Sequence, residues 1–275
     1  MLRLLAGAVS PPPGRGRIAL AYAYGALCHS IFAIAVLAMI AAMYFGMSQS
    51  LGRVPQPWSH LANAGLLVQF PIVHSFLLTD LGRKVLIRLA PRAYAETLTT
   101  TTFAVIAAFQ LAVLFVFWTP SGVIFWQAAG SALWLITAFY AATWLMLIKA
   151  SYDAGPEVQS GALGWMSLAA KTRPIYPDMP VTGLFRIIRQ PIYVSFALTL
   201  WAVPTWTPDQ VFLATTLTIY CVIAPRLKER RFAARYGARF AVYRDTTPYM
   251  VPRGRFWRGP TQNKTRAVQN TKSET

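Results

Sequence analysis

Apolar residues along this chain gather into six runs, 18–47, 61–78, 97–118, 123–147, 192–206 and 211–224, separated by short polar segments. At 1.5 Å of rise per residue, the first four are long enough to cross, or nearly cross, a hydrocarbon core of about 30 Å. Pro71 interrupts the second run, and Thr119-Pro120-Ser121-Gly122 predicts a tight turn between the third and fourth. The last two runs, joined by Thr207-Pro208-Asp209-Gln210, each cover only about 21–23 Å as helix. They read as a short hairpin that just crosses, or dips deeply and returns. Between the two groups lies the longest loop, 149–182, broken by Gly155-Pro156, Arg173-Pro174 and Tyr176-Pro177. The predicted fold is an all-α polytopic integral membrane protein with about six transmembrane helices.

Composition supports this. Hydrophobic residues make up 55% of the 275 and charged residues 13%, about half the usual charged share of a soluble domain. All nine Asp and Glu residues fall between or beyond the apolar runs, as the cost of ionised carboxylates in hydrocarbon requires. Lys and Arg alternate by loop. There are three in the N-terminal segment, one in 48–60, four in 79–96, none in 119–122, five in 149–190, none in 207–210 and 13 after Pro225. By the positive-inside rule both termini are expected in the cytoplasm, with Trp118, Trp126 and Trp206 forming an aromatic belt on the outer side.

The net charge of +17 therefore serves orientation and contact with the lipid bilayer, and no base-reading module argues for nucleic acid. Cys28 and Cys221 lie inside apolar runs and give neither a disulfide framework nor metal spacing. His29, His60 and His74 are scattered, so no metal site is expected. His74 is expected to be a hydrogen-bonded structural residue.

From Arg226 to Arg244, arginines interleave with Leu227, Phe232, Tyr236, Phe240 and Tyr243. This predicts a basic interfacial helix on the inner leaflet, broken at Gly237. The expected organisation is a mobile cytoplasmic segment at 1–17 and a four-helix membrane region at 18–150. A hairpin and basic helix follow at 151–258, then a disordered tail at 259–275.

Candidate chemistry concentrates at the cytoplasmic end of the last hairpin. Pro191 suits the first turn of a helix. The free N–H groups of that turn, beside Arg189, would suit a carboxylate or another anion. Hairpin geometry brings Glu229 close to Arg189, either as a ligand-binding carboxylate or as a plain interfacial ion pair.

The C-terminal part resembles the isoprenylcysteine carboxyl methyltransferase superfamily, including its NnrU-like and methanethiol S-methyltransferase-like members. The resemblance rests on Arg189-Gln190-Pro191-Ile192-Tyr193-Val194-Ser195, Trp201-Ala202-Val203-Pro204 and Lys228-Glu229-Arg230. It continues through Tyr236-Gly237, Phe240, Tyr243-Arg244 and the prolines Pro248 and Pro252, with a weaker likeness at His74-Ser75. Departures are Gln190 for the family histidine, Ser195 for a glycine and Lys228 for the first of two glutamates.

The resemblance implies a membrane enzyme that binds S-adenosylmethionine in a cytoplasmic pocket and methylates a small thiol or a lipophilic carboxylate or thiol. It also implies a bacterial inner membrane. On this pattern Arg189 and Glu229 are the candidate catalytic residues, and Gln190, Pro191, Tyr193, Glu229 and Arg230 the candidate cofactor-binding residues. The alternative is a non-catalytic membrane protein that retains the fold as a partner or assembly component.

Overall fold

A computed structural model describes residues 2–253; the tail expected to be disordered, 259–275, lies outside the described residues. The chain is an all-α polytopic membrane protein. Helix α1 spans Leu2–Val9, α2 Arg15–Tyr44, α3 Trp58–Leu77, α4 Asp80–Leu89, α5 Ala95–Phe117 and α6 Gly130–Asp153. The short α7 (Pro156–Gln159) and α8 (Ala162–Ala169) follow, then α9 Pro191–Trp201, α10 Pro208–Tyr236 and α11 Ala238–Thr246. A two-stranded antiparallel ribbon pairs β1 (Trp126–Gln127) with β2 (Thr205–Trp206).

Four of these helices (α2, α5, α6 and α10) are long and apolar enough to cross a membrane, and α3 with α4 makes a fifth candidate bent by 94°. The fifth apolar run contributes α9, which has 11 residues and so covers only about 16 Å. It still leads from the Arg189 end of the bundle to the β2 end, because a bend at Ala202 to Pro204 carries the path on into β2. Pro191 at its first position and Thr207 capping α10 through Gln210 N (3.0 Å) define the two helix starts of the hairpin.

Loops expected to share a side of the membrane share an end of the bundle. At one end Asn63 and Thr119 exchange two hydrogen bonds, Nδ2 to O at 2.8 Å and N to Oδ1 at 2.9 Å. There Asp209 accepts from Trp118 Nε1 (3.0 Å) and from the Ser121 N–H (2.8 Å). The opposite end packs Ala8 of α1, Ala90 before α5, Leu98 of α5 and Leu168 of α8 into one apolar cluster. Arg17 donates there to the carbonyls of Leu168 and Ala169 at the end of α8. The main core between the ends is built from Met43, Leu67, Leu114, Phe115, Leu200, Leu213 and Leu217.

Four expectations are corrected. Helix α6 begins at Gly130, not Val123, because residues before it pair with the hairpin loop: Phe125 N donates to Trp206 O (3.1 Å) and Ala128 N to Pro204 O (2.8 Å). Trp118 is 1% exposed and tied to Asp209, so it is a core residue and not part of an aromatic belt. The N-terminal segment is not a loose lead-in, since α1 lies on α8 with Gly7 close against Ala170. Finally, the basic stretch after Ala224 is not a separate interfacial helix at its start: α10 runs through Pro225 to Tyr236. A break does occur at Gly237, whose φ of +51° is easily reached without a Cβ.

Candidate functional site

The start of α9 and the charged end of α10 stand side by side, as the hairpin requires. Arg189 Nε donates to Glu229 Oε1 at 2.8 Å and Nη2 to Oε2 at 3.4 Å, giving a two-pronged ion pair. The side chains are 11% and 16% exposed, so the pair is largely withdrawn from water. Arg189 Nη1 donates to the carbonyls of Arg244 (2.8 Å) and Thr247. Its backbone N–H donates to Pro248 O at 2.9 Å. Among the described residues, these bonds leave one guanidinium N–H, on Nη2, for a ligand.

Gln190, 2% exposed, bridges the cluster. Its amide nitrogen donates to Glu229 Oε1 at 2.8 Å, and its amide oxygen accepts from Lys228 Nζ at 3.4 Å. A side chain with one donor end and one acceptor end fits between a carboxylate and an ammonium. Two departures from the family pattern, Gln190 and Lys228, therefore satisfy each other. The third is also absorbed: Ser195, fully buried, donates Oγ–H to Pro191 O at 2.7 Å within α9.

Helix α11 and the segment after it fold back over this cluster. Tyr243 donates its hydroxyl to Phe185 O at 2.6 Å, Tyr249 donates to Val222 O at 3.1 Å, and the Tyr249 ring lies 5.4 Å from the Arg189 guanidinium. Burial raises the Tyr243 phenol above its ordinary value, with the Arg189 charge pulling the other way. Burial and then the Glu229 carboxylate raise that of Tyr249. Both remain neutral donors around pH 7.

Beside this cover opens a cavity of about 670 Å³, lined by Arg189, Arg244, Asp245, Thr247, Tyr249 and Met250 among others. Its size falls within the usual range for small-molecule sites, about 300–1,000 Å³. Its wall supplies guanidinium groups for a carboxylate, a carboxylate for an ammonium or hydroxyl, and an aromatic face. That donor set fits the amino-acid and nucleoside parts of S-adenosylmethionine.

Of the residues chosen from sequence, the structure brings Arg189, Gln190, Pro191, Tyr193 and Glu229 together at one helix junction. Pro191 is buried as the first residue of α9. Tyr193 points its ring at Lys228 Nζ, 6.0 Å away. Arg230 is exposed on α10 and takes no part in the hydrogen-bonded cluster among the described residues. His74 was expected to be hydrogen-bonded; its buried Nδ1 has no partner among the described residues, and its ring instead packs between Phe70 and Phe103 at 5.1 and 5.0 Å. Sequence reasoning missed Asp245, Thr247 and Tyr249, although the run from Pro248 to Pro252 marked the segment that carries the last of them.

No family model matches the chain, and no solved structure matches it significantly. Curated proteins do. The chain is 26% identical over 193 residues to methanethiol S-methyltransferase 2 of Bradyrhizobium diazoefficiens, covering 70% of this chain and 73% of that one. It is 24% identical over 237 residues to a methanethiol S-methyltransferase of a Pseudomonas species, covering 84% and 89%. Nurim of Xenopus laevis matches at 24% over 208 residues, 66% of this chain and 69% of that one. The resemblance to the isoprenylcysteine carboxyl methyltransferase superfamily holds. The likeness to these members of the superfamily extends well beyond the C-terminal motif.

Proposed function

We propose that this protein is a membrane methyltransferase that uses S-adenosylmethionine to methylate a small thiol. The observation that carries the reading is its similarity, over 70% and 84% of its length, to proteins named methanethiol S-methyltransferase. When bound, the cofactor supplies an electrophilic methyl group on a sulfonium centre. Arg244 and the remaining Nη2 hydrogen of Arg189 hold a carboxylate, and Asp245 takes an ammonium or hydroxyl. Glu229 orients Arg189 and Gln190 and so fixes the wall of the cavity. The cover formed by Thr247, Pro248 and Tyr249 limits water, which favours approach of an anionic sulfur nucleophile. The Lys and Arg distribution supports a cytoplasmic placement of this end and of both termini, and the bacterial relatives support an inner-membrane location.

The test is equilibrium binding of S-adenosylmethionine and of its demethylated product to detergent-solubilised protein. Methanethiol is then supplied and dimethyl sulfide measured by gas chromatography. Binding that is weakened by Arg244→Ala and Asp245→Asn, together with product formation, is the expected result. Absence of binding at millimolar cofactor refutes it. A second reading, a non-catalytic membrane component, is favoured by one feature: Arg189, Gln190, Lys228 and Glu229 already satisfy one another. A stoichiometric co-purifying partner, with no cofactor bound, would support that reading.

A further inference from the structure

A cavity of about 430 Å³ opens on the flank of the bundle between α2 and α8, and it shares no residue with the one beside Arg189. Ala26, His29, Ser30 and Ala33 of α2 form one wall, and Trp165 of α8 forms the floor. Gly25 sets its depth. A Cβ there would stand 2.8 Å from Trp165 Cδ2, so glycine is what lets the indole settle against α2. Trp165 Nε1 donates to His29 Nε2 at 3.0 Å. An indole N–H can only donate, so Nε2 carries the lone pair and the imidazole proton sits on Nδ1. That Nδ1–H has no acceptor among the described residues. By helical rise His29 lies about 16 Å beyond Ile18, where the apolar run begins, and so near the middle of a hydrocarbon core of about 30 Å. At that depth water supplies no acceptor, and a donor left without one costs free energy.

We propose that this hollow binds a small apolar molecule dissolved in the bilayer that carries a carbonyl acceptor, such as an aromatic ketone. The carbonyl oxygen accepts from His29 Nδ1–H, with the Ser30 hydroxyl on the same wall. The apolar body lies on Trp165 between Ala26 and Ala33. A bare acyl chain fills the space but leaves the donor unsatisfied. A neighbouring helix, about 10–12 Å across, caps the hollow without entering it. The volume falls within the range of small-molecule sites. The bond from Trp165 holds the imidazole in one tautomer and one orientation, so the donor is in place before the ligand arrives. The site does not depend on the methyl-transfer reading.

Fluorenone and fluorene are the probes, since they share a tricyclic shape and differ by the carbonyl. Full-length protein in lipid nanodiscs is photolabelled with benzophenone, and the labelled residues are mapped by peptide mass spectrometry. Each probe is then added as competitor at matched mole fraction in the lipid. Labelling is expected on the α2 and α8 peptides that carry Ala26, Ala33 and Trp165. Fluorenone should compete at about threefold to tenfold lower mole fraction than fluorene, the preference one neutral hydrogen bond gives. His29→Leu should keep the labelling and erase the difference between competitors, whereas Gly25→Ala, which displaces Trp165, should weaken the labelling itself. Equal competition by the two probes in wild type overturns the proposal without recourse to any variant. A preference for fluorenone that survives His29→Leu overturns it as well. So does labelling that misses the hollow, including the case where native mass spectrometry shows a second copy covering α2.

Discussion

Replacing Glu229 by alanine removes the carboxylate that pairs with Arg189. It leaves a guanidinium whose side chain is 11% exposed, together with the donor end of a Gln190 that is 2% exposed. Breaking a buried pair by deleting one partner costs about 3–5 kcal/mol. Here Arg189 Nη1 keeps its carbonyl acceptors, and the pair retains some contact with water, so the lower edge, about 3 kcal/mol, is expected. Glu229→Gln keeps hydrogen-bonding atoms in place and should cost only about 1–2 kcal/mol. The assay is reversible unfolding in mixed micelles, run as a double-mutant cycle with Arg189→Met. The cycle removes the carbonyl contacts common to both arms and should leave a coupling of about 2 kcal/mol. A coupling near zero, or a loss below about 1 kcal/mol for Glu229→Ala, would show that the pair behaves as an exposed one and would refute its role as the clamp between hairpin and tail.

Asp209→Ala should destabilise by about 2–3 kcal/mol, because Trp118 Nε1 and the Ser121 N–H both lose a charged acceptor; thermal unfolding in detergent followed by tryptophan fluorescence checks it. Gly161→Ala should cost roughly 2–3 kcal/mol in the same assay. Its φ is +76°, and an added Cβ would stand 2.3 Å from Ala104 Cβ and 3.0 Å from Cys28 Sγ, forcing α8 away from both α5 and α2. Hydrogen bonding from Arg239 holds the Asp178 carboxyl below its ordinary value. The stability this contact adds is therefore present above the unfolded carboxylate value, about 3.9, and is lost as pH falls through the folded one. The groups are exposed, so the effect is small: limited proteolysis near Arg239 should speed up only in acid, and Arg239→Ala should remove that pH dependence.

The legible part of the site was the part set by neighbours along the chain. A two-armed hairpin with Arg189 before one arm and Glu229 beyond the other could meet in few other ways, and Pro191 marked the helix start. Arg230 sits next to Glu229 in sequence, but the helix turns it about 100° away, towards the exposed side. Phe185 and Tyr249 joined the cluster through contacts spanning tens of residues, which no local periodicity records. The two unusual residues, Gln190 and Lys228, looked like independent losses until their 3.4 Å contact showed one compensating the other.

The sequence by itself determined that the chain enters a membrane, where its apolar runs lie and which loops share a side. Each of these follows from the transfer free energy of a local stretch and from the charge of the loop beside it, and neither needs knowledge of distant partners. Tertiary structure alone decided that residues before Gly130 form a ribbon with the hairpin loop, that Trp118 turns inward to Asp209, and that α10 continues past Pro225. It also decided that a tail segment roofs Arg189 and Glu229. Those outcomes depend on which buried polar groups find partners. In a region without water, such a group must be satisfied by whatever segment the fold brings within about 3 Å.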